Sequence, residues 1–347
     1  MDAQARTQVG GQPDTWDAQV LATQPDPHFI QSEAWSEVKA PDGWQPEQHS
    51  APQGGGRPAI QTFRRHAPLV GGVVHAPRIS GLTHTSIHAF TELAQSTADG
   101  RVAAFKLEPY QAHDDDLVAA FTAAGWRVGD GTQYRHGVTV SLAGTEDDVW
   151  MSFKPRARNE INQALKKRGV TTERVPLTEE NIDTLATLIG ETRERSGAFF
   201  RSRAYLERTW RTLDAHGQGR LYFAYVDARI VAAAFVFTFG ANAWYKDGGS
   251  LRSDSNSFAP RALQWNIMRD LIAEGYAHYD LGNIPDPENP HEGGMRGLFV
   301  FKTGFARETK HYLPVLEYPL SKKFSRWQRH ESTLIRLMFM KNKDYWY

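Results

Sequence analysis

Short apolar stretches alternate with helical ones along most of this 347-residue chain, and the alternation runs through twice. Layers of helix over mixed sheet satisfy such a pattern, so it constrains the chain to an α/β fold. In the first pass, Ala59 to Phe63, Leu69 to Val74 and Val102 to Leu107 read as strands, with helices expected over Gln31 to Lys39, Ser86 to Ala98 and Asp114 to Ala124. In the second, helices are expected at about 156 to 168, 178 to 196 and 203 to 216. Strands then follow at Arg220 to Val226 and Ile230 to Phe239, joined by a hairpin turn at Asp227-Ala228-Arg229. Ala241 to Gly248 continues that sheet, Pro260 to Glu274 forms a long helix, and His278 to Leu281 returns to strand.

A single core stops growing well below this length, so the two passes predict two lobes. Their expected limits are 16–145, completed by about 315–347, and 146–314, with a frayed terminus over 1–15. Forty Lys and Arg balance forty Asp and Glu, which excludes the global positive charge of a nonspecific nucleic-acid coat and leaves only local RNA contacts. The absence of Cys excludes disulfides, thiolate catalysis and Cys-ligated zinc. No His-Glu-x-x-His arrangement is present among the thirteen histidines, and His84 and His88, four residues apart, sit among ordinary loop and helix signals, so no metal is expected. The polar start, Met1 to Asp14, lacks the pattern of a signal peptide, and no apolar run is long enough to span a bilayer, so a cytoplasmic location is expected. Lys322 to Tyr347 mixes cations with aromatic residues at helical spacing, as a packing helix or as a basic amphipathic one near anionic lipid.

Chemistry concentrates between Trp244 and Glu308. Trp244 to Ser250 ends in paired glycines, which mark either a tight turn or a place where a ligand or another chain approaches the backbone. Pro260 sits in the first turn of a helix whose exposed amides could hold an anion. Tyr279-Asp280-Leu281-Gly282-Asn283 reads as a strand running into a turn, with Asp280 either a site residue or a brace. In Gly297 to Phe305 a single cation, Lys302, interrupts aromatic and apolar neighbours, which is costly unless an anionic partner or a wet cleft receives it.

Tyr-Asp-Leu-Gly-x-Ile at Tyr279 to Ile284, followed by Leu-Phe-x-Phe-Lys-x-x-Phe at Leu298 to Phe305, resembles the Fem (FemABX) family of non-ribosomal peptidyltransferases. Lys154 to Ile161 through Lys166 to Val170 is similar to the segment that opens that family's second lobe, and Gln31-Ser32 with Trp35 to Lys39 to its N-terminal Gln-Ser-x-x-Trp motif. The likeness spans most of residues 28 to 320. It implies two acetyltransferase-like (GNAT-like) lobes facing a cleft, in the compact FemX-type form without a long helical insertion. It also implies transfer of an amino acid from aminoacyl-tRNA to the amine of a UDP-linked or lipid-linked muramyl-peptide precursor of peptidoglycan. That reaction needs aminoacyl-tRNA as co-substrate and no further cofactor. A monomer, in possible peripheral contact with the inner membrane face, would suffice for it.

By the same resemblance Lys302 assists transfer, holding a terminal phosphate or stabilising the oxyanion, with Asp280 beside it as a second catalytic candidate. Lys39 and Arg201 would hold the diphosphate of the precursor, and Trp35, Tyr205, Tyr279 and Asn283 would line its site. Lys154, Arg156, Arg158, Lys166 and Lys167, with Phe301 and Phe305, would meet the transfer RNA. Three alternatives stay open at this stage: aminoacyl-tRNA-dependent peptide-bond formation in natural-product synthesis, coenzyme A-dependent N-acyl transfer on the same fold, and a non-enzymatic binding module. The second would want a pyrophosphate-binding Gln/Arg-x-x-Gly-x-Gly/Ala loop, which is not found.

Overall fold

A computed structural model describes residues 15–67, 71–196, 201–251, 257–291, 295–342 and 347; the expected frayed terminus, Thr15 apart, lies outside them. The first half runs α1 (Trp16–Thr23), α2 (Glu33–Lys39), β1 (Gln45–His49), β2 (Ile60–Ala67), β3 (Gly71–Ile79), α3 (Ile87–Ser96), β4 (Val102–Pro109), α4 (Asp115–Ala123) and β5 (Arg127–Val128). It continues through β6 (His136–Ser141), α5 (Glu146–Ser152), α6 (Pro155–Lys167), β7 (Thr171–Val175), α7 (Glu179–Ser196) and α8 (Arg203–Ala215). The remainder is β8 (Gly219–Val226), β9 (Arg229–Phe239), β10 (Asn242–Ser250), α9 (Ala259–Ala273), β11 (His278–Ile284), α10 (Arg296–Lys302), β12 (Lys310–His311), β13 (Leu316–Pro319) and α11 (Phe324–Asn342).

Two mixed sheets result, one of six strands in the order β1-β2-β3-β4-β13-β5 and one of seven in the order β12-β6-β11-β10-β9-β8-β7. Each is an antiparallel array carrying one parallel pair, β3 with β4 and β10 with β11. The halves exchange strands. β13, late in the chain, enters the first sheet between β4 and β5, whereas β6, at 136–141 and ahead of the expected boundary at 145, pairs with β11 in the second. Such short strands carry little periodicity of their own, and their place is set by the partners they meet.

One apolar core lies under α3 and α4, a second under α5, α6 and α9. A third joins the lobes: Phe29, at the turn before α2, packs edge-on against Phe237 of β9 at 4.8 Å, Trp244 of β10 at 5.2 Å and Trp35 at 5.3 Å. Gln31 shows why the N-terminal motif needs an amide. Wholly buried, it donates to the carbonyls of Gln61 at 3.1 Å and Pro77 at 2.8 Å and accepts the Gln61 amide at 2.8 Å. Those bonds fix the approach to α2 and thereby aim Trp35 and Lys39.

The hairpin at Asp227 and Ala228 has positive φ at both positions, +48° and +60°, as the right-handed twist of β8 and β9 demands. The paired glycines Gly248 and Gly249 make no turn, because β10 runs on to Ser250. Helix α7 crosses so close there that a Cβ on Gly249 would lie 2.2 Å from the Leu188 carbonyl carbon and oxygen. Gly249→Ala is therefore expected to destabilise the second lobe by about 2 kcal/mol. Thermal unfolding measures the loss, and Gly297→Ala, whose Cβ meets nothing within 4 Å, is the control.

A candidate active site between the lobes

In the first sheet the parallel pair holds together along its length, from Gly72 opposite Val102 to Ile79 opposite Pro109. In the second, β10 and β11 pair only from Asn242 with His278 to Trp244 with Asp280 and then part. Bulges lie just past that point in both strands, between Tyr245 and Asp247 and between Asp280 and Gly282. The split opens the second sheet at the level of the cleft. The Gly-Asn turn expected at Gly282 is instead this bulge, and β11 continues to Ile284. Gly282 has φ +82°, and a Cβ there would lie 3.3 Å from Lys302 Nζ and 3.7 Å from the Tyr245 carbonyl. Glycine thus serves both the left-handed backbone and the room that the ammonium needs.

Lys302 is the last residue of α10 and is buried, its ammonium donating to the Asn283 carbonyl at 2.8 Å. Burial pushes its pKa down, the Asp280 carboxylate offsets part of that, and Lys246 pushes it down further, to about 8. Asp280 is a brace as much as a reagent. One oxygen accepts the Tyr110 hydroxyl from the first lobe and the other accepts the Gly282 amide, so it closes the bulge and ties the lobes together. Burial, with the Asp280 charge, keeps that Tyr110 hydroxyl protonated.

Asn283 faces the opposite way, into a cavity of about 620 Å³ between the lobes. Trp35, Lys39, Arg201, Tyr205, Lys246, Trp44 and His75 also line it. Around the Tyr205 ring stand Lys39 at 5.6 Å, Arg201 at 4.7 Å and Arg208 at 5.3 Å, while Arg65 lies 5.5 Å from the Trp44 ring. Arg208 pairs with Asp42 at 2.5 Å. Cations gathered over aromatic faces, in a site partly shielded from water, suit a multiply charged anion.

A loop of the first lobe closes the far side. Gln133 accepts from Arg78 and, at 2.6 Å, from Asn283, while Arg78 also reaches the Asn283 side chain at 3.1 Å. Thr132 beside it donates both its amide, at 3.1 Å, and its hydroxyl, at 2.5 Å, to the buried Glu108, which is 3.1 Å from His75. Lys302 therefore rests on a residue that is itself clamped from the opposite lobe.

Several expected residues hold other posts. Tyr279 is wholly buried and donates to Gln264 of α9 at 2.7 Å, because alternation along β11 turns it to the core while Asp280 faces the other side. Phe305 is also wholly buried, and it packs edge-on against the half-buried Phe301 at 5.6 Å, with the Arg261 guanidinium 5.1 and 4.9 Å from the two rings, so they are engaged in packing and not arrayed as a surface for RNA. The start of α9 offers no open anion site, since Ser257 takes the Ala259 amide at 3.2 Å and the first turn is buried. Lys154, Arg156, Lys166 and Lys167 are exposed and Arg158 half-exposed on α6, whose inner face is Ala157, Glu160, Ile161 and Ala164. The amide of Lys154 donates to the Gly304 carbonyl at 2.9 Å, which places this basic helix against the end of α10. Sequence reasoning did not single out Arg78, Arg65, Trp44, Lys246 or Gln133. A lone cation or Trp in a strand or loop carries no pattern, and the positive φ of Arg78, +55°, is a property of the folded backbone.

Residues 151–290 match the family profile described as an acetyltransferase (GNAT) domain. The structure is similar to that of FemX, with a TM-score of 0.76 over 91% of this chain and 97% of the other at 19% sequence identity. It also resembles the C-terminal domain of a protein described as a lysylphosphatidylglycerol synthetase from Agrobacterium fabrum, with a TM-score of 0.54, 13% identity and coverage of 92% and 97%. A conserved protein of unknown function from Bacteroides thetaiotaomicron gives a TM-score of 0.55 at 13% identity over 88% and 94%. No curated protein matches the sequence. The chain has the FemX-type fold, two acetyltransferase-like lobes around a cleft.

Proposed function

We propose that this protein transfers an aminoacyl group from aminoacyl-tRNA to the amine of a peptidoglycan-precursor peptide. The observation that carries the reading is Lys302, a buried ammonium beside the split of β10 and β11, separated by Asn283 from a cavity rich in cations. The FemX-type fold and the Tyr-Asp-Leu-Gly and Phe-Lys-x-x-Phe motifs support the same donor and acceptor.

The division of labour follows from charge. The diphosphate of the precursor lies among Lys39, Arg201 and Arg65, with Trp35, Trp44 and Tyr205 as apolar walls. The aminoacylated RNA end approaches from the side of α6, where Lys154, Arg156, Arg158, Lys166 and Lys167 meet phosphates, and puts its ester by Lys302. An aminoacyl ester is already activated, so alignment of amine and carbonyl, with a cation near the developing oxyanion, supplies much of the rate. Neither a nucleophilic side chain nor a further cofactor enters this scheme.

Incubation with a mixed pool of radiolabelled aminoacyl-tRNAs and each precursor in turn, with and without ribonuclease, tests it. Label entering peptide is the expected result; label that enters despite ribonuclease rejects the donor. Lys39→Ala and Arg201→Ala are each expected to raise the KM for the precursor by about 10- to 100-fold, the worth of a charge-assisted contact, with the KM for aminoacyl-tRNA unchanged. Initial rates with each substrate varied in turn separate the two constants. Equal effects on both would remove these residues from the acceptor site.

A further inference from the structure

Helix α11 is two-faced. Its inner side, Phe324, Trp327, Leu334 and Ile335, joins the core shared by the lobes. From Ser321 to Asn342 the sequence holds one acidic residue, Glu331, and that residue turns inward to pair with the buried Lys106 at 2.5 Å. The outer side therefore carries Lys322, Lys323, Arg326, Arg329 and Arg336, all exposed, with no carboxylate of its own helix among them. Toward the C-terminal end of that side Leu337 and Met340, three residues apart and so neighbours on the helix, are 54% and 50% exposed.

A chain of zero net charge concentrates this charge locally, and large apolar side chains standing among the cations need an occupant. We propose that the outer face of α11 docks on the surface of an anionic lipid bilayer. The cations meet lipid phosphates while Leu337 and Met340 enter the boundary between headgroups and acyl chains, as an interfacial helix does. RNA would satisfy the cations but offers nothing to the two apolar side chains, so lipid accounts for both halves of the face. The helix also borders the cleft. Glu331, Ser332 and Ile335 line a cavity of about 380 Å³ together with Gly131, Thr132 and Tyr347, and those last three line the central cavity as well. Docking would bring the cleft to the bilayer surface without any membrane-crossing helix; among the described residues no helix is long and apolar enough to cross. This inference goes beyond the proposed reaction and does not depend on it.

Flotation of the full chain with vesicles tests it. Binding to phosphatidylcholine vesicles containing phosphatidylglycerol, absent with phosphatidylcholine alone and weakened by salt, is the expected result. Each cation near the surface contributes about fivefold, so Arg329→Gln with Arg336→Gln should lower partitioning about 25-fold. Leu337→Ser with Met340→Ser should lower it by about fivefold or more. All four side chains are exposed, and an unchanged thermal transition checks that these variants fold. No binding to anionic vesicles overturns the proposal, as does binding that neither pair of substitutions weakens. So does a result in which the arginine variants lose affinity for tRNA while vesicle binding is untouched, which would assign the face to RNA.

Discussion

Replacing Lys302 by Met is expected to lower kcat for aminoacyl transfer by about 100- to 1,000-fold, the cost of removing one preorganised group that stabilises developing charge, with binding of both substrates little changed. Methionine keeps most of the volume and removes the charge, so the fold should survive. The pH dependence carries more information than the loss itself. Lys302 has a pKa of about 8, pushed down by burial and Lys246 and partly restored by Asp280. Its cation is thus fully present well below pH 8 and disappears above it. The rate should rise with pH as the acceptor amine loses its proton, then flatten above about pH 8 as the Lys302 cation is lost. Lys246→Ala removes a repelling neighbour, so it should move the break upward. Single-turnover rates across pH, corrected for spontaneous ester hydrolysis, measure this. A break that ignores Lys246 would detach the profile from Lys302, and a Lys302→Met enzyme of normal kcat would end the proposed mechanism.

The sequence made Lys302 visible because an isolated cation among Leu298, Phe299, Val300, Phe301 and Phe305 has no cheap apolar explanation. What holds it was hidden. Asn283 was legible as a residue near the site, but Arg78 and Gln133, which clamp it, come from the other lobe, about 205 and 150 residues away in sequence. Four helices of the second half were legible to within a residue or so, from 156–168 against Pro155–Lys167 to 260–274 against Ala259–Ala273, because amphipathic periodicity is a local property, whereas the seven-residue α5 and α10 are too short to show it and were not read. β6 was not legible, since nothing in it says that it crosses to the other half's sheet, whereas β13 lies in the stretch from about 315 that was expected to complete the first lobe. Tyr279 and Phe305 fell within the right motifs and were given the wrong surroundings. A motif tells which residues cluster, but only the alternation of β11 and the packing of α10 decide which of them face the cleft. The C-terminal helix shows the same limit from the other side, because packing and a basic outer face, posed as alternatives in the sequence, coexist on α11.

Arg261 offers the sharpest test of how that packing supports the site. Its Nε donates to Glu160 Oε2 of α6 at 2.7 Å, while its two other nitrogens donate to the carbonyls of Phe301 at 2.7 Å and Val300 at 3.2 Å at the end of α10. The guanidinium thus satisfies carbonyls that a helix end leaves without intrahelical partners. Gly304 is needed for its approach, since a Cβ there would lie 2.4 Å from Arg261 Nη1. The Phe301 and Phe305 rings, packed edge-on against each other at 5.6 Å, both lie beside the guanidinium. The motif that advertises Lys302 is therefore largely a socket for Arg261, and Lys302 is held in place because the residues on either side of it are. Arg261→Met would leave Glu160 buried with only the exposed Arg156 beside it, and would take one donor from each of the Phe301 and Val300 carbonyls, the first of which keeps the Gly304 amide at 3.3 Å. The expected loss is about 3–5 kcal/mol, the cost of breaking one side of a buried ion pair. At roughly 2–4 °C per kcal/mol for a lobe of this size, that corresponds to about 10 °C in Tm. Removing both charges, in Arg261→Met with Glu160→Met, should recover much of it, because no buried charge is then left alone. Well below the lowered Tm, Arg261→Met should still reduce kcat by more than its folded fraction explains, since the end of α10 and Lys302 with it loses its anchor. Calorimetry of the two single variants and the double variant, together with kcat at a temperature where all are folded, separates stability from positioning. Additive losses in the double variant would show that the pair is not coupled, and an unaltered kcat in Arg261→Met would show that Lys302 does not depend on it.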